Sequence, residues 1–159
     1  MIDRFERFST SILEISRLWH RIAGEAMGQY GLKGAYATYF TTLYRFPDGI
    51  TSAQLAELSS RDKADVSRAM TLLENKGLVI RQETDGKAYR ARLLLTPSGR
   101  ELAQQVNTKA QAAVELASSG LQEEKRAILY EALELITANL QKLSKEGIPG
   151  SDRGEGVLL

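Results

Sequence analysis

Between Thr51 and Pro97 the chain marks its own element boundaries, and this spacing constrains the fold more than any other feature. Thr51-Ser52-Ala53-Gln54 is a capping box. The Thr hydroxyl can accept the amide three residues on, and the Gln side chain can reach back. Leu55, Ala56 and Leu58 follow at helical spacing, so a short helix ends near Ser60. Asp62 can cap a second helix, with Asp65 at the reciprocal position and Val66, Ala69, Met70 and Leu73 as its buried stripe. Gly77 stops that helix, and Leu78 is placed to pack back on Leu73 in a Schellman ending. Two short helices a few residues apart spell helix-turn-helix.

A hairpin follows at once. Val79–Thr84 and Lys87–Leu95 flank Asp85-Gly86, a two-residue turn of the primed kind. If that turn sets the register, partners' numbers sum to 171. Ile80, Tyr89, Ala91, Leu93 and Leu95 then share one face, and Arg81, Arg90 and Arg92 the other. Arg81 would face Arg90, a repulsive pair. Either a polyanion meets that face, or the strands splay and water screens the charges.

Long amphipathic helices flank this lobe. Phe5, Phe8, Ile12, Ile15, Trp19, Ile22 and Ala26 alternate spacings of three and four, a coiled-coil-like seam. Gly28 and Gly31 end it. A second helix is expected from Gly34 to Phe46, with Tyr36, Tyr39, Phe40 and Leu43 apolar, broken by Phe46-Pro47-Asp48-Gly49. Thr96-Pro97 opens a further helix, with Leu102, Val106, Ala110, Ala113 and Ala117 on one face. Ser118-Ser119-Gly120 interrupts it. The last helix runs from about Gln122 to Lys145 with Leu129, Leu133, Ile136, Leu140 and Leu143 as its seam.

The expected fold class is therefore mainly α (an α+β winged helix), a winged helix-turn-helix lobe flanked by long N- and C-terminal dimerisation helices. Residues 1–48 would support and dimerise, 49–96 form the winged lobe, 97–146 complete dimerisation, and 147–159 form a disordered tail. The two terminal seams offer more apolar surface than a small central lobe covers. Either they pack only on each other, or they form a homodimer interface; the dimer is the favoured reading.

Composition bears on what such a chain does. It has no cysteine, which excludes disulfides, thiolate metal sites and cysteine redox sensing. One histidine, no phosphate-cradling Gly loop and no metal-spaced cluster argue against an enzyme and against cofactors or metals. Glu123-Glu124 reads as acidic first-turn residues favoured by the helix dipole. No signal peptide or membrane span is expected, which points to the cytoplasm. Net charge is only +1, but Arg61–Arg100 holds nine Lys/Arg against five Asp/Glu, and the rest twelve against fifteen. Positive charge gathers where one lobe would meet phosphate.

On the second helix of the motif, Lys63, Ala64, Asp65, Ser67, Arg68 and Thr71 lie off the buried stripe. Arg68 is the candidate for a guanine contact through its planar fork. Ser67 and Thr71 suit bases or phosphates, and Lys63 suits phosphate. Asp65 is awkward near a polyanion; it would cap the helix or accept from a cytosine amine. Lys87, Arg90 and Arg92 on the wing would follow the backbone or enter the minor groove. Taken singly, each helix residue reads as part of a solvated face; its place within a helix-turn-helix tips the balance to the functional reading.

The stretch Ile50–Gly99 resembles the MarR family of bacterial regulators. The resemblance rests on Gly49-Ile50-Thr51 leading to Gln54-Leu55-Ala56, then Asp62-Lys63-Ala64-Asp65-Val66-Ser67-Arg68-Ala69, Leu73-Glu74-Asn75-Lys76-Gly77-Leu78-Val79 and Leu95-Thr96-Pro97-Ser98-Gly99. It implies an obligate dimer with intertwined terminal helices, a recognition helix carrying Ser67, Arg68 and Thr71, and a palindromic duplex operator. It also implies a repressor released by a small, often aromatic, effector bound between the dimerisation helices and the winged lobe. Trp19, His20, Tyr36 and Tyr39 fall on elements that could line such a pocket, although core packing explains the aromatic residues too. One departure stands out. The family's wing often carries Asp-x-Arg at its tip, where this chain has Lys87-Ala88-Tyr89; Arg90 is the nearest substitute. A winged-helix module that binds protein instead of DNA is the alternative function.

Overall fold

The computed structural model describes residues 3–84 and 87–149, with the backbone alone at 84 and 87–89. The chain divides into two compact units, Met1–Val114 and Glu115–Leu159. The first opens with helix α1 (Arg4–Gly28). A 3₁₀ turn (Gly34–Tyr36) and helix α2 (Ala37–Tyr44) follow, where the sequence suggested one helix from Gly34 to Phe46. Then come strand β1 (Ile50–Thr51), helices α3 (Ser52–Leu58) and α4 (Lys63–Asn75), strands β2 (Val79–Thr84) and β3 (Lys87–Leu95), and helix α5 (Pro97–Ala117). The second unit holds the last residues of α5 and helix α6 (Glu123–Glu146).

The caps read from the sequence are in place. Thr51 Oγ1 accepts the Gln54 amide at 3.2 Å, and Gln54 Oε1 accepts the Thr51 amide at 2.9 Å. At the end of α4 the Leu78 amide reaches the Leu73 carbonyl and the Gly77 amide the Glu74 carbonyl, both at 2.9 Å. This Schellman ending requires a left-handed residue, supplied by Gly77 at φ 69°. The stripe Val66, Ala69, Met70 and Leu73 is buried, and it joins Phe40, Leu43, Leu55, Val79 and Leu93 in one core. Full burial of such side chains stabilises by roughly 1.5–3 kcal/mol each.

The hairpin departs from the expected register. Near the turn Thr84 pairs with Lys87, in the 171 register. Beyond it Gln82 pairs with Arg92, Arg81 with Leu93 and Val79 with Leu95, so the numbers sum to 174. Three extra residues on β3 are absorbed between these pairs. An odd shift exchanges faces. Arg81 therefore shares a face with buried Leu93 and not with Arg90, and Ile80 leaves the core face, where Val79 takes its place. The repulsive Arg81–Arg90 pair does not form. Arg81 Nε instead donates to both Glu74 carboxylate oxygens, at 3.0 and 2.9 Å, locking β2 to α4. β1 completes a three-stranded antiparallel sheet in the order β1-β3-β2. It is too short to show a period in the sequence. The turn residues Asp85 and Gly86, and the tail from residue 150 on, lie outside the described residues.

In the second unit no residue of α6 is buried, and Leu129, Leu133, Leu140 and Leu143 are exposed along it. Arg126 Nη1 donates to Glu115 across the α5–α6 turn at 3.0 Å. In the first unit α1 buries only Met27, and Phe5, Phe8, Ile12, Ile15, Trp19 and Ile22 are exposed. Among the described residues no helix is long and apolar enough to cross a membrane.

Candidate nucleic-acid interface

The helix-turn-helix is closed by a feature with no sequence signal. Ser60 adopts φ 52°, and the Arg61 amide bonds back to the Ala56 carbonyl at 2.9 Å. This is a left-handed helix ending built on serine, where glycine is usual. It turns the chain into α4 within four residues.

Asp62 caps α4, its Oδ1 accepting the Ala64 amide at 2.6 Å and the Asp65 amide at 3.4 Å. One carboxylate thus serves two of the orphan donors at the helix start. With the stripe turned into the core, Lys63, Asp65, Ser67, Arg68 and Thr71 are exposed, all five on one helix. The Arg68 side chain is 71% accessible, and its Nη2 donates to the Asp65 carboxylate one turn back. The Thr71 hydroxyl donates to the Ser67 carbonyl at 3.1 Å.

The wing candidates divide. Arg90 is exposed on β3. Arg92 Nη1 donates to the Gly49 carbonyl at 3.1 Å and the Asp48 carbonyl at 3.3 Å, so its head is engaged in holding the loop before β1. The Lys87 side chain lies outside the described residues.

Within the first unit a cavity of about 250 Å³ opens between α1, α2 and α5. Trp19 and His20 line it, with Ala23 and Ala26 from the same helix. The His20 Nδ1 lies 2.6 Å from the Ser16 carbonyl oxygen, to which an Nδ1 proton donates. Tyr36 and Tyr39 are not among the lining residues. Their rings pack together, centroids 5.9 Å apart, and Tyr39 is buried in the core. Burial pushes the Tyr39 hydroxyl's pKa up. The polar wall comes from Thr38, Thr41, Arg61 and Lys109, none of which the sequence reading placed there. Thr38 and Thr41 sit at helical spacing on α2, but three other elements must meet before that spacing means a wall. Arg61 directly precedes the cap of α4, so cavity and exposed helix are one residue apart in the chain.

Residues 30–88 match the model of the MarR family. No curated protein sequence matches the chain. Solved structures do. A MarR transcriptional regulator from Methanosarcina mazei Go1 is 25% identical with a TM-score of 0.75, over 87% of this chain and 99% of that one. A Listeria monocytogenes protein complexed with 26mer DNA is 22% identical with a TM-score of 0.80, over 98% and 100%. The S. aureus MepR–DNA complex is 23% identical with a TM-score of 0.76, over 84% and 97%. The last two are likenesses of fold.

Proposed function

We propose that this chain, whose residues 30–88 match the MarR family model, is a MarR-family sequence-specific DNA-binding transcriptional regulator, not an enzyme, acting in the cytoplasm. The observation that carries this reading is α4. It is capped, buried on one side by Val66, Ala69, Met70 and Leu73, and on the other offers Lys63, Ser67, Arg68 and Thr71 to solvent. A helix so held inside a helix-turn-helix fits the major groove, with its N-terminal residues at base edges. The DNA-bound fold neighbours support the same reading.

Residues 49–96 would be the DNA-binding lobe, with 1–48 and 97–146 supplying the dimer. The unpartnered apolar seams on α1 and α6 support a homodimer, since large exposed apolar stripes mark association surfaces. Two recognition helices related by a two-fold axis match a palindromic operator with half-sites ~34–36 Å apart. The protein would act as a repressor released by a small effector. The cavity beside Arg61 supports such a site, because a ligand there would bear on the residue that leads into α4.

Selection from a random duplex pool at two salt concentrations tests the reading. One palindromic site, lost in Arg68→Ala, is expected. Weak, sequence-independent binding would reject base readout and favour a winged-helix module with a protein partner.

A further inference from the structure

We infer that Asp65 is a specificity-determining residue that positions the Arg68 guanidinium, so that the pair reads a guanine flanked by a base carrying an exocyclic amine. The inference rests on α4 being the DNA-reading helix. An acidic side chain on that face needs an explanation, because it repels phosphate. Capping does not supply one. Asp62 already accepts the Ala64 and Asp65 amides, and the Asp65 carboxylate instead accepts Arg68 Nη2. The helix dipole favours an acid in this first turn, but that leaves the pairing with Arg68 unexplained, since both partners are well exposed and such pairs contribute little in water.

The chemistry of the fork supplies more. A guanidinium carries five N–H donors in one plane. Asp65 engages one at Nη2, which ties down one edge of the fork and leaves donors free for guanine O6 and N7, a contact that needs two in the same plane. An untethered Arg searches many rotamers before it finds that plane, and the tether biases that search toward it, the more so once DNA excludes water from the pair. The carboxylate also acts by exclusion. It is acceptor-only, so beside it the N4 amine of cytosine or the N6 amine of adenine is tolerated, and the O4 of thymine or O6 of guanine is repelled. Arg68 alone would read one base. The pair reads a two-base step.

The test compares sites selected from a random duplex pool by the full chain, by Asp65→Asn, by Arg68→Ala and by the double variant, with Asp65→Ser as a second substitution and circular dichroism as a check of folding. The expected result for Asp65→Asn is a loss of about tenfold in preference at the guanine position and its neighbour, the scale of a good bidentate contact. Affinity for unrelated duplex DNA should rise at the same time, because a negative charge has been removed. In the Arg68→Ala background the Asp65 change should have no further effect on the guanine position. Unchanged preference in a folded Asp65→Asn or Asp65→Ser, or loss at the guanine position that adds independently to that of Arg68→Ala, would overturn the inference while leaving DNA binding standing. Selection of no site by the unaltered chain would overturn the DNA-binding reading itself.

Discussion

The Thr96 hydroxyl donates to the Gly77 carbonyl at 2.7 Å while accepting the Gly99 amide at 3.0 Å. One side chain therefore closes the turn after α4 and opens α5. The Thr96 amide adds a bond to the Leu78 carbonyl at 3.1 Å. The far end of α4 and the start of α5 meet at this residue.

Thr96→Val keeps the shape and removes both hydroxyl bonds. It should cost about 1–2 kcal/mol, the usual range for a lost helix cap. Thr96→Ser should recover most of it. Urea unfolding of the three proteins measures both, and an unchanged midpoint in Thr96→Val would show that water replaces the hydroxyl.

Ser60 holds a left-handed conformation that costs a side chain roughly 1–2 kcal/mol. Ser60→Gly relieves it. The variant should unfold at a higher urea concentration, by something on the order of 1 kcal/mol after the added freedom of the unfolded glycine is set against the gain. A lower midpoint would mean that the serine hydroxyl makes a contact worth more than the strain.

Two glycines on either side of one crossing should behave oppositely. A Cβ at Gly34 would fall 2.6 Å from the Gly24 amide nitrogen, so Gly34→Ala must push the 3₁₀ turn off α1, at a cost of about 2–3 kcal/mol. A Cβ at Gly24 meets nothing within 4 Å, and Gly24→Ala should gain up to about 1 kcal/mol of helix propensity. Thermal denaturation separates the two, and similar shifts in both would contradict this packing.

Burial raises the Tyr39 pKa above the ordinary tyrosine value of 10.0. The native state then resists ionisation more than the unfolded chain does. Stability from this residue is complete below the unfolded pKa and falls as pH climbs from there through the higher folded value. Tyr39→Phe should flatten the alkaline loss of melting temperature above about pH 10. An identical alkaline slope in both proteins would assign the loss to other groups.

Much of this molecule could be read from the chain, for local reasons. The capping box at Thr51, the Asp62 cap, the α4 stripe and the Gly77 ending each depend on residues within a turn or two of one another. The same locality explains why the reading stopped short elsewhere. The hairpin register is decided by Val79 and Leu93 settling into the core and Arg81 pairing with Glu74 of α4, and the turn residues carry no information about that. Ser60 lacks the glycine that usually announces its conformation. Arg61 and Lys109 come to one cavity wall from positions 48 residues apart, and neither has a neighbour in sequence that hints at it. Asp65 drew two readings from the sequence, and the structure gives a third, because an Asp at the third position of a helix can turn inward to cap or forward to the residue three ahead.

The irregularity between Gln82 and Thr84 works like a slip joint. On its inner side the strands are held in register by the core, and on its outer side Thr84 pairs with Lys87 in a different register. Residues added, lost or exchanged at the tip can change its reach without dragging Val79, Arg81 or Leu93 out of place. The outer end of the hairpin can thus change while the lobe that carries it stays the same.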